Sequence, residues 1–243
     1  MTLALPPART PDPGKAPSLR WGVVGTGWIA DRFVTALQKH SSQRISAVGS
    51  RSSVSATAFA HRFGIDRAYG SYEALVSDPD LDIVYVATPH TAHLPNALLA
   101  LEAGKHTLVE KPLALNADQG QQITDVAGSR GLFCMEAYWT AFLPKFDVLR
   151  QLLGTGVLGE VTAVVADFGE RFPAGHNIHR PELAGGPMLD LGTYLISLVL
   201  DVVGSPDRVI AASTRTTTGV PVTGLPPDLV HHPEDVDAGR ERP

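Results

Sequence analysis

From Arg20 to Ala137 the chain repeats one unit, a short run of near-continuous apolar residues followed by a longer amphipathic segment. The runs are WGVVG, ISAVG, DIVYVAT, HTLVE and LFCMEA. Runs so rich in Val, Ile and Ala leave no face for water, so both faces of the sheet they form must be covered. A helix between successive strands makes them parallel, because a hairpin cannot span that connection. These two constraints predict an α/β fold, a doubly wound parallel sheet over residues 19–134. Its helices are expected from Trp28 to about His40, over VSATAFAHRF and SYEALV, from Thr91 to Ala103, and from the N-cap Asn116 to just before Gly131.

The remainder has a different rhythm. A helix is expected around Phe142–Leu153, ending at Gly154. An alternating strand EVTAVVADFG, a helix from about Met188 to Val203 and a strand over RVIAASTRT follow. This order predicts an α+β domain with an open, largely antiparallel sheet over 135–220. Five prolines in residues 1–18 predict a flexible leader, and the proline-rich, charged 221–243 an unfolded tail.

Composition removes several classes of function. With 20 basic and 25 acidic side chains in 243 residues the formal charge is −5 and no basic run is present, so no nucleic-acid partner is expected. The apolar stretch Tyr194–Leu200 is cut by Asp201, short of the roughly 20 residues of a bilayer span, so no membrane role is expected. Cys134 is the single cysteine, which excludes an internal disulfide and fits the reducing cytoplasm.

Chemistry first shows in GTGWIA, which leaves the first strand and opens a helix. It fits the Rossmann pattern G-x-G-x-x-A. Gly25 makes the tight turn, Gly27 lets a pyrophosphate approach the backbone of Thr26, Trp28 and Ile29, and Ala30 packs helix on strand. The helix N-terminus offers N–H groups to the anion. At the end of the second strand an acidic residue would receive the ribose hydroxyls of NAD. Ser50 and Arg51 stand there instead. Arg51 can fork onto a 2′-phosphate, so NADP is expected over NAD, unless Arg51 is a solvated loop charge.

Ligands of a parallel sheet bind at the carboxyl ends of its strands, and Glu110–Lys111 ends one. Lys111, between an acid and Pro112, is therefore expected at the cofactor crevice, where a partly desolvated amine stabilises an alkoxide or relays a proton.

GTGWIADRF, TPHTAHLPNALLALEAGKHTLVEKPLAL, EAYWTAFLP and GGPMLDLGTY, in this order, resemble the Gfo/Idh/MocA oxidoreductases. EAYWTAFLP and PELAGGPMLDLGTYLISL are similar to its branch of NADP-dependent dihydrodiol and D-xylose dehydrogenases. The resemblance implies hydride transfer between nicotinamide and a secondary alcohol of a sugar or cyclic diol, and a homodimer in full-length members. It implies that Lys111 lies by the substrate hydroxyl and nicotinamide, that Tyr194 is the proton donor or acceptor, and that Asp190 orients the hydroxyl or balances the lysine. The i, i+4 spacing of Asp190 and Tyr194 independently puts both on one helix face. The backbone of Thr88 and Pro89 would meet the cofactor ribose. His93 would serve the cofactor or bond a loop carbonyl. Trp139 and Phe168, with Phe172, would line the substrate pocket or belong to the core. His176, His179 and Glu182 lack the helical setting of a metal site, and no metal is expected.

Three departures qualify the resemblance. Ala141 replaces an arginine common in close relatives, the segment HNIHRPELAGG is shorter than its counterpart, and the sequence past Val220 ceases to follow the family, as in a truncated chain. The same motifs also fit a catalytically inactive cofactor-binding regulator or a nonfunctional fragment.

Overall fold

A computed structural model of the protein describes residues 5–215 and 219–223. The chain divides into two compact units, residues 1–162 and 163–243.

Unit 1 carries six parallel strands: β1 (Arg20–Val24), β2 (Arg44–Gly49), β3 (Arg67–Tyr69), β4 (Ile83–Val86), β5 (His106–Val109) and β6 (Cys134–Glu136). They lie in the order β3-β2-β1-β4-β5-β6, every neighbouring pair parallel. The order reverses between β1 and β4, where such a sheet opens a crevice at its carboxyl end. The helices are α1 (Trp28–His40), α2 (Ser53–Phe63), α3 (Tyr72–Val76), α4 (His93–Glu102), α5 (Ala117–Ser129) and α6 (Pro144–Gly154).

The apolar strands divide their side chains between two cores, as the expected doubly wound fold requires. Val23, Ile83 and Tyr85 pack with Val34 of α1 and Phe59 of α2. Val24, Val84 and Val86 pack with Leu75 of α3, Ala97 and Leu101 of α4 and Ile123 of α5. Each fully buried aliphatic side chain contributes on the order of 1.5–3 kcal/mol, so this two-faced packing is what holds the strand ends in place. Side-chain caps fix where helices begin: Ser52 accepts from Ser55 N, Ser71 from Ala74 N, and Asn116 from Gln119 N as its position predicts.

The segment read as a flexible leader is anchored at several points. Arg9 binds Asp147 of α6 through its backbone N at 2.7 Å and its guanidinium at 2.9 Å, and Gln151 donates to Pro7 O. Gln43 donates to Pro17 O, and Ser18 to Ser42 O.

Unit 2 differs from expectation in its strands. EVTAVVADFG forms no regular structure, because among the described residues no strand pairs with it; Val165 is 97% exposed. Of RVIAASTRT only β7 (Ser213–Arg215) is a strand among the described residues. It pairs antiparallel with β8 (Pro221–Thr223), three residues of the segment expected as tail. The rest of that tail, 224–243, lies outside the described residues. This pair is the only antiparallel sheet among the described residues. The expected helix starts with a π turn, Met188–Gly192, and continues as α7 (Thr193–Val203).

Contrary to the sequence reading, Pro181–Val203 is long and apolar enough for a bilayer span by length and composition, at 23 residues containing an 18-residue window of mean hydropathy 1.4. Its continuous α-helix, α7, has 11 residues, about 16 Å, roughly half a hydrocarbon core.

Candidate active site

The nucleotide loop leaves β1 at Gly25. Gly25 N donates to Gly49 O, and Ala87 N to Val24 O, so the ladder continues past the strand ends. Gly25 has φ +106°, and a Cβ there would stand 2.6 Å from Ala87 O. A side chain is excluded both by backbone conformation and by space. Gly27 is the N-cap of α1, with no side chain bonded to the first turn, and a Cβ there would meet nothing within 4 Å. The uncapped N–H groups of α1 therefore face open space, a cradle into which a phosphate fits. Ala30 is fully buried, Trp28 exposed, and the Ile29 side chain packs on the core, leaving its backbone for a ligand. Thr26 is half-buried.

At the end of β2, Ser50 N donates to Tyr69 O, and Ser50 Oγ accepts from Ser52 N. Arg51 is exposed at the start of α2 and has no ion-pair or hydrogen-bond partner among the described residues.

After β4 comes Thr88, buried, then Pro89. His93, fully buried at the start of α4, sets its Nε2 2.9 Å from Thr88 O and its Nδ1 2.7 Å from Pro112 O. Asn96 donates to Thr88 Oγ1 at 3.3 Å. His93 thus ties the loop after β4 to the loop after β5. Two carbonyls suit an imidazolium, yet burial outweighs them and holds the imidazole at a pKa of about 4.

Glu110 N donates to Val86 O at 3.0 Å. Its carboxylate accepts from Tyr85 Oη and from Lys111 N. Burial raises the Glu110 pKa, against the lowering effect of the Tyr85 hydrogen bond. The Tyr85 phenol is pushed well above its ordinary range, by burial first and by the adjacent carboxylate. The Lys111–Pro112 peptide is cis. Leu113 N donates to Glu136 Oε1 at 3.0 Å, so Lys111, half-buried, sits in a loop held on both sides. Trp139 begins a 3₁₀ turn, Trp139–Phe142, and is 59% exposed. Arg150 of α6 donates to Ala141 O in that turn.

Unit 2 holds the other predicted residues. The backbone carbonyls of Asn177, Ile178 and Arg180 crowd the place a Cβ on Gly185 would take, at 2.8 Å for the last two. Only glycine lets this loop close over the head of the helix. Asp190 N donates to Gly186 O at 3.2 Å. In a pure α-helix residues i and i+4 stand about 40° apart around the axis, and the wider π turn narrows that offset for Asp190 and Tyr194. Both are half-buried. The rings of Phe168 and Tyr194 meet edge to face, centroids 5.9 Å apart. Phe172 pairs elsewhere, stacked on His176 at 4.5 Å.

Comparison with known proteins places this geometry. Residues 19–138 match the family described as "Oxidoreductase family, NAD-binding Rossmann fold", and 146–238 match the "GFO/IDH/MocA C-terminal domain", so the match runs past Val220, where the sequence reading expected it to stop. KijD10, a 3-ketoreductase from Actinomadura kijaniata solved with NADP and TDP-benzene, is 31% identical, with a TM-score of 0.74 over 85% of this chain and 69% of that one. The chain belongs to the Gfo/Idh/MocA family. Trans-1,2-dihydrobenzene-1,2-diol dehydrogenases from Bos taurus and Homo sapiens are 41% and 38% identical over 84% of this chain. The chain spans 62% of the length of those two relatives.

Three residues of the site escaped the sequence reading: Tyr85, Asn96 and Glu136. Tyr85 had a signal, as a polar tip in an otherwise apolar strand. It registers with Leu108, two residues before Glu110, and so shares Glu110's face. Glu136 lies in the quoted EAYWTAFLP, but only the fold brings it to Leu113.

Proposed function

We propose that this chain is an NADP-dependent oxidoreductase that interconverts a secondary alcohol of a sugar or cyclic diol with its ketone. The observation that carries the proposal is the uncapped, open N-terminus of α1 at Gly27. Arg51, at the end of β2, supplies a fork for a 2′-phosphate where an acid would repel it. KijD10, a 3-ketoreductase solved with NADP, supports the cofactor, and the trans-1,2-dihydrobenzene-1,2-diol dehydrogenases support a cyclic diol as substrate.

When bound, the nicotinamide accepts or delivers the hydride. The chain's residues manage the rest. Lys111 stabilises negative charge on the substrate oxygen, Tyr194 gives or takes that oxygen's proton, and Asp190 orients the hydroxyl. The backbone of Gly25 to Ile29 binds the pyrophosphate, Thr88 and Pro89 the ribose, and Glu110 fixes the Lys111 backbone. Trp139 and Phe168 offer apolar surface to the substrate ring. With Cys134 as its only cysteine, the protein suits the cytoplasm.

The test is to mix the protein with NADP or NAD and a panel of sugars and cyclic diols, and to follow the absorbance of reduced nicotinamide. Lys111→Met and Tyr194→Phe are expected to abolish the rate with cofactor affinity nearly unchanged. Arg51→Ala should weaken NADP far more than NAD. Cofactor binding without turnover of any alcohol would instead identify a regulator.

A further inference from the structure

Three residues after Phe168, whose ring meets Tyr194, unit 2 forms an open cavity of about 660 Å³ lined by Arg171, Phe172, Pro173, Ala174 and His179. Phe172, Pro173 and Ala174 make its wall apolar. The Phe172 ring is braced by the stacked His176, whose Nδ1 accepts from Ile178 N at 3.2 Å and is thereby fixed in turn. His179, on the cavity lining, belongs to the loop whose carbonyls close over Gly185, three residues before the π turn that carries Asp190.

The charges are arranged unevenly. Arg180 rests on Glu182 at 2.8 Å and is neutralised. Arg171 has no ion-pair or hydrogen-bond partner among the described residues, and no carboxylate lines the cavity with it. His179 adds a second nitrogen donor or acceptor, with only a long 3.4 Å contact from Nε2 to Phe172 O. An unneutralised guanidinium on an apolar concave wall is suited to a planar or tetrahedral anion, which it grips through two parallel N–H bonds.

We propose that this cavity is an anion subsite of the substrate pocket, and that the substrate is a sugar or cyclic diol bearing a carboxylate or phosphate. Arg171 grips the anion, His179 contacts it, and Phe172 supports the carbon skeleton. The proposal rests on the dehydrogenase reading above, but its primary test does not need turnover.

Calorimetric titration of the full chain, with and without NADP, would compare glucose, glucuronate and glucose 6-phosphate. At least one anion should bind ten-fold or more tighter than glucose, and the stronger of the two identifies carboxylate or phosphate. Arg171→Ala should erase that preference at an unchanged unfolding midpoint, and Arg171→Lys should restore part of it. In turnover, Arg171→Ala should raise KM for the anionic substrate with little change in kcat. If neither anion outbinds glucose, or if the preference survives Arg171→Ala, the subsite is refuted, whatever the fate of the dehydrogenase reading. Anion binding lost in Arg171→Ala without any turnover would uphold the subsite and sink that reading.

Discussion

The Tyr85 hydroxyl, inside β4, donates its hydrogen bond to the Glu110 carboxylate, the residue immediately before Lys111. The other oxygen of Glu110 accepts from Lys111 N at 3.2 Å, so a residue in the middle of the sheet fixes the backbone on which the proposed catalytic amine stands.

Tyr85→Phe keeps the ring stacked on Phe33, with centroids 3.9 Å apart, and removes only the donor. A buried carboxylate that loses such a donor costs about 1–3 kcal/mol, readable as a lower denaturation midpoint. Burial makes Glu110 hold its proton more tightly folded than unfolded, so above pH 4.5 this group costs stability as pH rises. The variant should extend that loss to higher pH, because it removes the bond that lowers the Glu110 pKa. In a double-mutant cycle with Glu110→Gln the two effects should be strongly non-additive; simple additivity would mean the contact carries no energy.

His93 titrates in the other direction. Folded it stays neutral down to about pH 4, against 6.5 when exposed. Between those values the unfolded chain binds the extra proton, so stability rises with pH across the window and is lost as pH falls through it. The difference is worth on the order of 3 kcal/mol. Denaturant melts across that window should show this slope in the parent and a flatter one in His93→Gln. The same substitution frees Thr88 O and Pro112 O from their shared tie, so it should also loosen amide protection at Thr88, Lys111 and Leu113.

The nucleotide loop separates fold from binding in adjacent glycines. Gly25→Ala forces a Cβ against Ala87 O in a conformation that L residues avoid, and should lower the melting temperature of the cofactor-free protein. Gly27→Val fills only open space. As a poorer N-cap it should lower that melting temperature only slightly, less than Gly25→Ala does, while weakening NADP binding by ten-fold or more. Equal NADP affinity in Gly27→Val and the parent would show that this cradle holds no phosphate.

What sequence alone could reveal follows the range of the physics involved. The parallel sheet was legible because WGVVG and DIVYVAT are apolar on both faces, and GTGWIA because each residue answers a local need. The ties around Lys111 were hidden because Tyr85, His93 and Glu136 act across 25, 19 and 23 residues of sequence. EVTAVVADFG misled for the same reason. Its alternation records a preference for a sheet, but a strand exists only where another strand supplies the ladder, and none among the described residues does.

The contact between Arg9 and Asp147 could not have been anticipated from the five prolines before residue 19, since those prolines extend the segment but do not say where it lands. Asp147 accepts from both the backbone and the side chain of Arg9, and from Gln151 at 2.8 Å, and these hydrogen bonds pull its pKa to about 2. The depressed value means the anchorage is complete above the ordinary carboxylate pKa of 3.8 and is lost as pH falls from there toward 2. Arg9→Ala removes the guanidinium but keeps the backbone donor, whereas Asp147→Asn weakens both. Hydrogen exchange at neutral pH should therefore show faster exchange at residues 8–9 and along α6 in both variants, more so in Asp147→Asn. High salt should narrow the gap between parent and Arg9→Ala, because the Arg9 side of the pair is solvent-exposed and partly screened. Parent-like exchange in both variants would show that the segment's position does not depend on this pair.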